Sequence, residues 1–182
     1  MKIKVLEKTE GCMPVIFKQG DWIDLRLAED VTLHCPKACK LHRRKDKGKE
    51  INMEERTRDV IFESCIANLG ICMQLPEGYE APVIPRSSSF KKYGILQTNS
   101  YGLIDCSYCG DEDEWKMPMV ATRTVTIPKG TRIAQFRIQL SQKATVWQKI
   151  KWLLSSPKIS FIKVDSLGNK NRRGLGEGTA EK

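Results

Sequence analysis

The stretch TRIAQFRIQL, residues 131–140, decides the fold class. Ala134, Phe136, Ile138 and Leu140 occupy one set of alternate positions, while Ile133, Gln135, Arg137 and Gln139 occupy the other. Strict alternation is the mark of a half-buried strand, because successive side chains point to opposite faces. Gln135 then falls on the face turned from the core, where a polar site can use it. The same rhythm recurs in MKIKVL (1–6), DVIFESCIA (59–67), ICMQLP (71–76), APVIP (81–85), VATRTVTI (120–127) and ISFIKV (159–164). PEGY, PRSSS and PKGT punctuate these runs with turn residues. Many short strands divided by turns predict an all-β, antiparallel protein of sandwich or jelly-roll type.

Composition bounds the rest. At 182 residues the chain has the length of one domain and enough sequence for a sizeable core. Hydrophobic residues make up 40% and charged residues 29%, an ordinary globular balance. No apolar run reaches the roughly 18 to 20 residues that span a bilayer, and MKIKVLEKTEG has no apolar export signal, so a cytoplasmic protein is expected. Seven cysteines, an odd number, are read as reduced thiols. Lys and Arg outnumber Asp and Glu by 31 to 22, giving a net charge of +9. That sign suits nucleic acid, an anionic membrane surface or a phosphorylated small molecule, without choosing among them.

Two stretches break the strand rhythm. Residues 34–59 are dense in charge, with seven Lys or Arg between 37 and 49, and predict an exposed excursion. His34, Cys35, Cys39 and His42 lie there, but their spacing is not a standard zinc pattern. In 142–156, Val146, Trp147, Ile150, Leu153 and Leu154 recur at helical spacing, predicting a short amphipathic helix docked on the barrel or on a neighbouring subunit. From residue 166 a Gly-rich polar tail predicts a flexible C-terminal arm, so 1–165 is taken as the domain body and 166–182 as the arm.

Both histidines sit in the excursion, which leaves the rest of the chain without the usual general base. No phosphate-binding G-x-x-x-x-G-K motif, H-E-x-x-H zinc motif or G-x-S-x-G elbow is present. Carboxylate chemistry on water remains. Arg86 with Ser87, Ser88 and Ser89 sets a cation beside three hydroxyls at a turn, a combination suited to phosphate oxygens, although a plain polar turn has the same composition. Asp105, between Ile104 and the later Tyr108, is a candidate base. Cys106 and Cys109 form a C-x-x-C around Tyr108, read as packed thiols.

Taken in order, these segments resemble the five motifs of the trimeric dUTPase family across nearly the whole chain. GDWIDLRLAEDV matches the first through Asp24 and Leu25, with Ile23 in the usual tyrosine place. Arg86 and Ser87 match the R-S-G of the second, with Ser88 for the glycine. The third, N-x-x-G-V/L-I-D-x-x-Y-x-G, is met by Asn99, Gly102, Leu103, Ile104, Asp105, Tyr108 and Gly110. The fourth, G-x-R-I-A-Q, is met by Gly130, Arg132, Ile133, Ala134 and Gln135. The fifth aligns on Arg172, with Leu175 in the aromatic place and Glu177 in the serine place.

The resemblance implies a distorted jelly-roll β-barrel that hydrolyses dUTP to dUMP and pyrophosphate in a homotrimer with sites between subunits. It implies Asp105 as base to the attacking water, and Asn99 with the backbone of Gly102, Leu103 and Ile104 reading uracil. Tyr108 would lie under the deoxyribose, and Arg86, Ser87, Ser88, Gln135 and Arg172 would hold phosphate oxygens. Leu175 would give the base an apolar cover. Mg²⁺ would bridge the triphosphate with no direct protein ligand, Asp24 reaching it through water. The partner is then dUTP, neither membrane nor nucleic acid. Two rivals share the fold: a dCTP deaminase using Glu112 or Glu114, and a non-catalytic nucleotide-sensing regulator that uses the basic segment.

Overall fold

A computed structural model describes residues 1–17, 20–42, 57–155 and 158–168. Among these, fifteen strands and two short helices follow one another in the order β1 (Lys2–Glu7), β2 (Ile23–Arg26), β3 (Val31–Leu33), β4 (Lys37–His42), β5 (Thr57–Ile61), β6 (Ser64–Asn68), β7 (Ile71–Gln74), β8 (Tyr79–Pro85), α1 (Ser89–Tyr93), β9 (Ile95–Gln97), β10 (Gly102–Asp105), β11 (Lys116–Ala121), β12 (Val125–Ile127), β13 (Arg132–Phe136), β14 (Gln139–Leu140), α2 (Val146–Leu154) and β15 (Ser160–Val164). The all-β expectation holds. The ladders run β15-β1-β7, β10-β8-β13-β2 with β14 also on β8, β6-β11-β9, β12-β3 and β4-β5. No helix among the described residues is long and apolar enough to cross a membrane.

One pairing departs from the antiparallel expectation: β1 and β15 run parallel, with Lys2 opposite Ser160 and Leu6 opposite Val164. Alternation within a strand says nothing about its partner's direction, and a parallel pair needs a long crossover. Here nearly the whole chain between the two strands serves as that connection.

The core collects the inward residues of every sheet. Ile3, Leu25, Leu33, Leu69, Met73, Met117, Met119 and Phe136 are all essentially inaccessible to solvent. Trp115 meets Phe136 edge to face at 5.1 Å between ring centroids, and Phe136 in turn lies 6.2 Å from Phe161 on β15. Large side chains buried in this way contribute about 1.5 to 3 kcal/mol each. In the stretch 131–140 the alternation is broken once. A bulge between Arg132 and Ala134 turns both Ile133 and Ala134 inward, so Ile133 is a core residue and not a partner of Gln135 on the outer face.

The excursion is more ordered at its stem than charge density suggests, because backbone pairing needs no apolar face. β4 and β5 form an antiparallel hairpin with a register shift between Ala38 and Leu41. His34 at its foot is held by Glu63, whose Oε2 accepts from the backbone N–H at 2.8 Å and lies 2.7 Å from Nδ1. No group of three metal-ligating side chains is found among the described residues; the side chains of Cys39 and His42 lie outside what is described. Residues 43–56, with most of the basic run, also lie outside.

α2 forms where predicted and starts on a capping box in which Thr145 accepts from the Gln148 N–H and Gln148 reaches back to Thr145. Its apolar stripe does not dock on this chain's own sheets. Trp147 is 79% and Leu153 84% exposed, and it is Trp152 that packs inward, 5.8 Å from Tyr79. A second tie joins Gln148 Nε2 to the carbonyl of Glu77 at 2.8 Å, beside Gly78. Gly78 has φ +81°, and a Cβ there would stand 2.5 Å from the Gln148 amide, so glycine suits both the turn and the helix contact.

Candidate active site

The predicted residues fall into two groups on opposite sides of β8, one toward β13 and one on β10. On the first side β13 lies between β2 and β8, with Gln135 opposite both Asp24 and Ile84. Arg86 follows directly on β8 and is fixed by its backbone N–H, which donates to Ile133 O at 3.1 Å. Its Nε meets Asp24 Oδ1 at 2.8 Å, while Arg132 meets Asp24 Oδ2 at 3.0 Å. Asp24, which the resemblance sets near magnesium through water, thus gives one oxygen to each of two guanidiniums and is 11% exposed. The shared anion holds both guanidinium forks in fixed directions. The Phe17 ring lies under Arg132, 5.7 Å from its guanidinium carbon.

Phe17, Asp21, Trp22, Asp24, Arg86, Arg132 and Gln135 line a cleft of about 410 Å³ here, with two carboxylates beside two guanidiniums. Gln135 Nε2 has only a long contact, 3.5 Å, to Pro85 O. Ser87 is exposed, and Ser88 starts α1 without using its side chain as a cap. Ser89, expected as a third hydroxyl for phosphate, is instead structural. It is buried, and its Oγ donates to Ile133 O at 2.8 Å. Arg132 and Phe17 were missed as site residues because their role depends on β13 pairing with β2.

On the other side of β8 runs β10, joined to β9 by residues 98–101. β10 pairs with β8 so that Gly102 faces Val83 and Asp105 faces Glu80. Asp105 is exposed at the strand's end. Its Oδ1 accepts from both the Ser107 N–H at 2.7 Å and the Ser107 hydroxyl. The Ser107 hydroxyl, above all, holds the carboxyl below its ordinary range, with the Ser107 N–H adding to it against the effect of burial. Tyr108 donates its hydroxyl to Glu114 O at 3.1 Å, and burial pushes the phenol up to about 12, so the ring is held and neutral. Asn99 is exposed beside Gly102, Ile104 is buried and Leu103 is exposed. The deaminase candidates are otherwise engaged: Glu112 pairs with Lys8 and Glu114 accepts from the Gly70 N–H.

The foot of the arm is tied to Asp111. Asp111 accepts from the Ser166 hydroxyl and from the Leu167 N–H, each at 2.7 Å, and Leu167 is buried. Arg172, Leu175 and Glu177 lie outside the described residues.

By its fold the chain is a jelly-roll-like all-β protein. Within that class the chain belongs to the dUTPase family. The dUTPase family model matches residues 37–150. The SPbeta prophage-derived deoxyuridine 5'-triphosphate nucleotidohydrolase YosS of Bacillus subtilis is 41% identical over 176 residues, 97% of this chain and 95% of its own length. The deoxyuridine 5'-triphosphate nucleotidohydrolase of Hydrogenobaculum is 43% identical over a shorter span, 42% of this chain and 53% of its own. The crystal structure of dUTPase from Streptococcus mutans superposes with a TM-score of 0.56 at 18% identity, covering 77% of this chain and 95% of that one.

Proposed function

We propose that the chain hydrolyses dUTP to dUMP and pyrophosphate, in a site assembled from more than one copy of itself. Family membership supports the reaction. The shared site is supported by a length: Asp105 stands opposite Glu80, and Arg86 comes six residues further along the same strand. At about 3.3 Å per residue the two ends are on the order of 20 Å apart. A base and a phosphate clamp so separated serve one substrate only if different copies supply them, as in a homotrimer.

In this arrangement Arg86, Ser87, Ser88, Gln135 and Arg172 bind phosphate oxygens, and Arg132 adds charge to the same cleft. Asn99 and the backbone of Gly102, Leu103 and Ile104 read the uracil edge, Tyr108 supports the deoxyribose and Leu175 covers the base. Asp105 is ionised at neutral pH and uses Oδ1 for Ser107, leaving Oδ2 to orient a water. That water's oxygen bonds to the α-phosphorus, its proton passes to Asp105, and the α–β bridging bond breaks to release pyrophosphate. A carboxylate with a lowered pKa is a weak base, so positioning and charge neutralisation carry much of the acceleration. Mg²⁺, bound to the triphosphate, would neutralise charge on the leaving group. Asp24, with one oxygen on each of Arg86 and Arg132, would reach the metal through water.

The test is pyrophosphate release by the purified chain with Mg²⁺ and each deoxynucleoside triphosphate in turn. Release from dUTP alone is expected. No release from dUTP by correctly assembled protein would overturn the proposal.

A further inference from the structure

Gln97 closes β9 and lies outside the residues that the family motif names. Its Nε2 donates to two acceptors, Val83 O at 3.1 Å and Asn99 Oδ1 at 2.6 Å. The first partner is backbone, fixed by the pairing of β8 with both β10 and β13. A carbonyl can only accept, so the Gln97 amide must turn its nitrogen to Val83. The same nitrogen faces Asn99, so Asn99 in turn must present its oxygen to Gln97. The direction of the Asn99 amide is therefore dictated from the neighbouring strand. Its Nδ2 is the end left for a ligand, and it lies 3.4 Å from where a Cβ on Gly102 would stand.

Two features bear on this relay. Gln97 Oε1 is buried with no hydrogen-bond partner among the described residues, a cost set against the two bonds that Nε2 makes. Gly102 leaves it room, since a Cβ there would come within 3.1 Å of Gln97 Nε2 and 3.3 Å of Val83 O.

We propose that Gln97 is a specificity-positioning residue: it locks Asn99 with Nδ2 toward the base, so that Asn99 offers a donor to the position-4 oxygen of uracil and faces the amino group of cytosine with a second donor. This rests on the base-reading role given to Asn99 above. Without Gln97 the amide is free to turn over and offer Oδ1, which accepts from the cytosine amino group.

The test measures kcat/KM for dUTP and dCTP with Mg²⁺ in the full chain and in three variants. Gln97→Met removes the donor at similar length, and the preference for dUTP should fall about tenfold, the scale of one oriented hydrogen bond. The change should appear in KM, with kcat for dUTP kept, because Gln97 is not placed on the phosphates. Gln97→Glu offers only acceptors, so Asn99 must turn its nitrogen inward, and the preference should fall further than in the Met variant. Asn99→Ala is the control. If it leaves the preference unchanged, the base-reading role of Asn99 fails. If it lowers the preference while both Gln97 variants keep it, the relay is overturned. Should the Gln97 variants misfold, the ¹⁵N side-chain amide signals of the unaltered chain decide. Slowed exchange at Gln97 Nε2 and a shift at Asn99 Nδ2 on adding dUMP support the relay, and the lack of either overturns it.

Discussion

Asp105 shows how one residue's chemistry follows from its immediate neighbours. The Ser107 hydroxyl and N–H both stabilise its charged form, so its pKa in the folded protein lies below the ordinary carboxylate value. The base form therefore persists from neutral pH down through the usual carboxylate range, and activity that depends on it is lost only as the pH falls below that range. Ser107→Ala should raise this pKa and move the acidic limb of kcat to higher pH, which a pH profile at saturating dUTP and Mg²⁺ would show. An unmoved limb would mean that another group sets it. Asp105→Asn should retain nucleotide binding while lowering kcat by about 10² to 10⁴, the usual loss of a general base. Asp105 is legible in the sequence because motif three is contiguous. Ser107 is equally close, yet nothing in its type reveals that its hydroxyl turns back two residues.

At the scale of elements, two attachments carry distinct expectations. The capping box of α2 satisfies N–H groups at the start of the helix, and Thr145→Ala should destabilise it by about 1 kcal/mol. Since Gln148 also ties the helix to Glu77, urea unfolding should show that loss without a change in the fold. The arm's foot hangs on Asp111, whose carboxyl is held below its ordinary range by the Ser166 hydroxyl and then the Leu167 N–H. Asp111→Asn removes the charge that both donors seek, so the Leu167 amide should exchange with solvent faster, as hydrogen-exchange mass spectrometry of the C-terminal peptide would read. Unchanged exchange would mean that burial of Leu167 alone holds the foot. The helix was visible from its 3.6-residue spacing, but the side that packs was not. Trp152 reaches Tyr79 while the longer stripe faces outward, because the approach of the helix is set by the turn at Gly78.

At the scale of the whole molecule, β8 lies between the two halves of the proposed site. Neither Arg86→Ala nor Asp105→Asn should be active alone, whereas subunits of the two, unfolded and refolded together, should regain part of the activity by forming sites with both native groups. No recovery from mixed assemblies would place the complete site in one chain. The sequence by itself determined the all-β class, the order of the family's motifs and the identity of the candidate base and phosphate-binding groups. Each of these depends on side-chain periodicity or on residues close together in the chain. Only the tertiary structure decided that β1 and β15 run parallel, that Ile133 turns inward, and that Asp24 joins Arg86 to Arg132. It alone also set Val83, Gln97 and Asn99 in one chain of hydrogen bonds. The physical reason is that strand pairing brings together residues far apart in sequence, and a hydrogen bond's direction depends on where the partner's backbone stands.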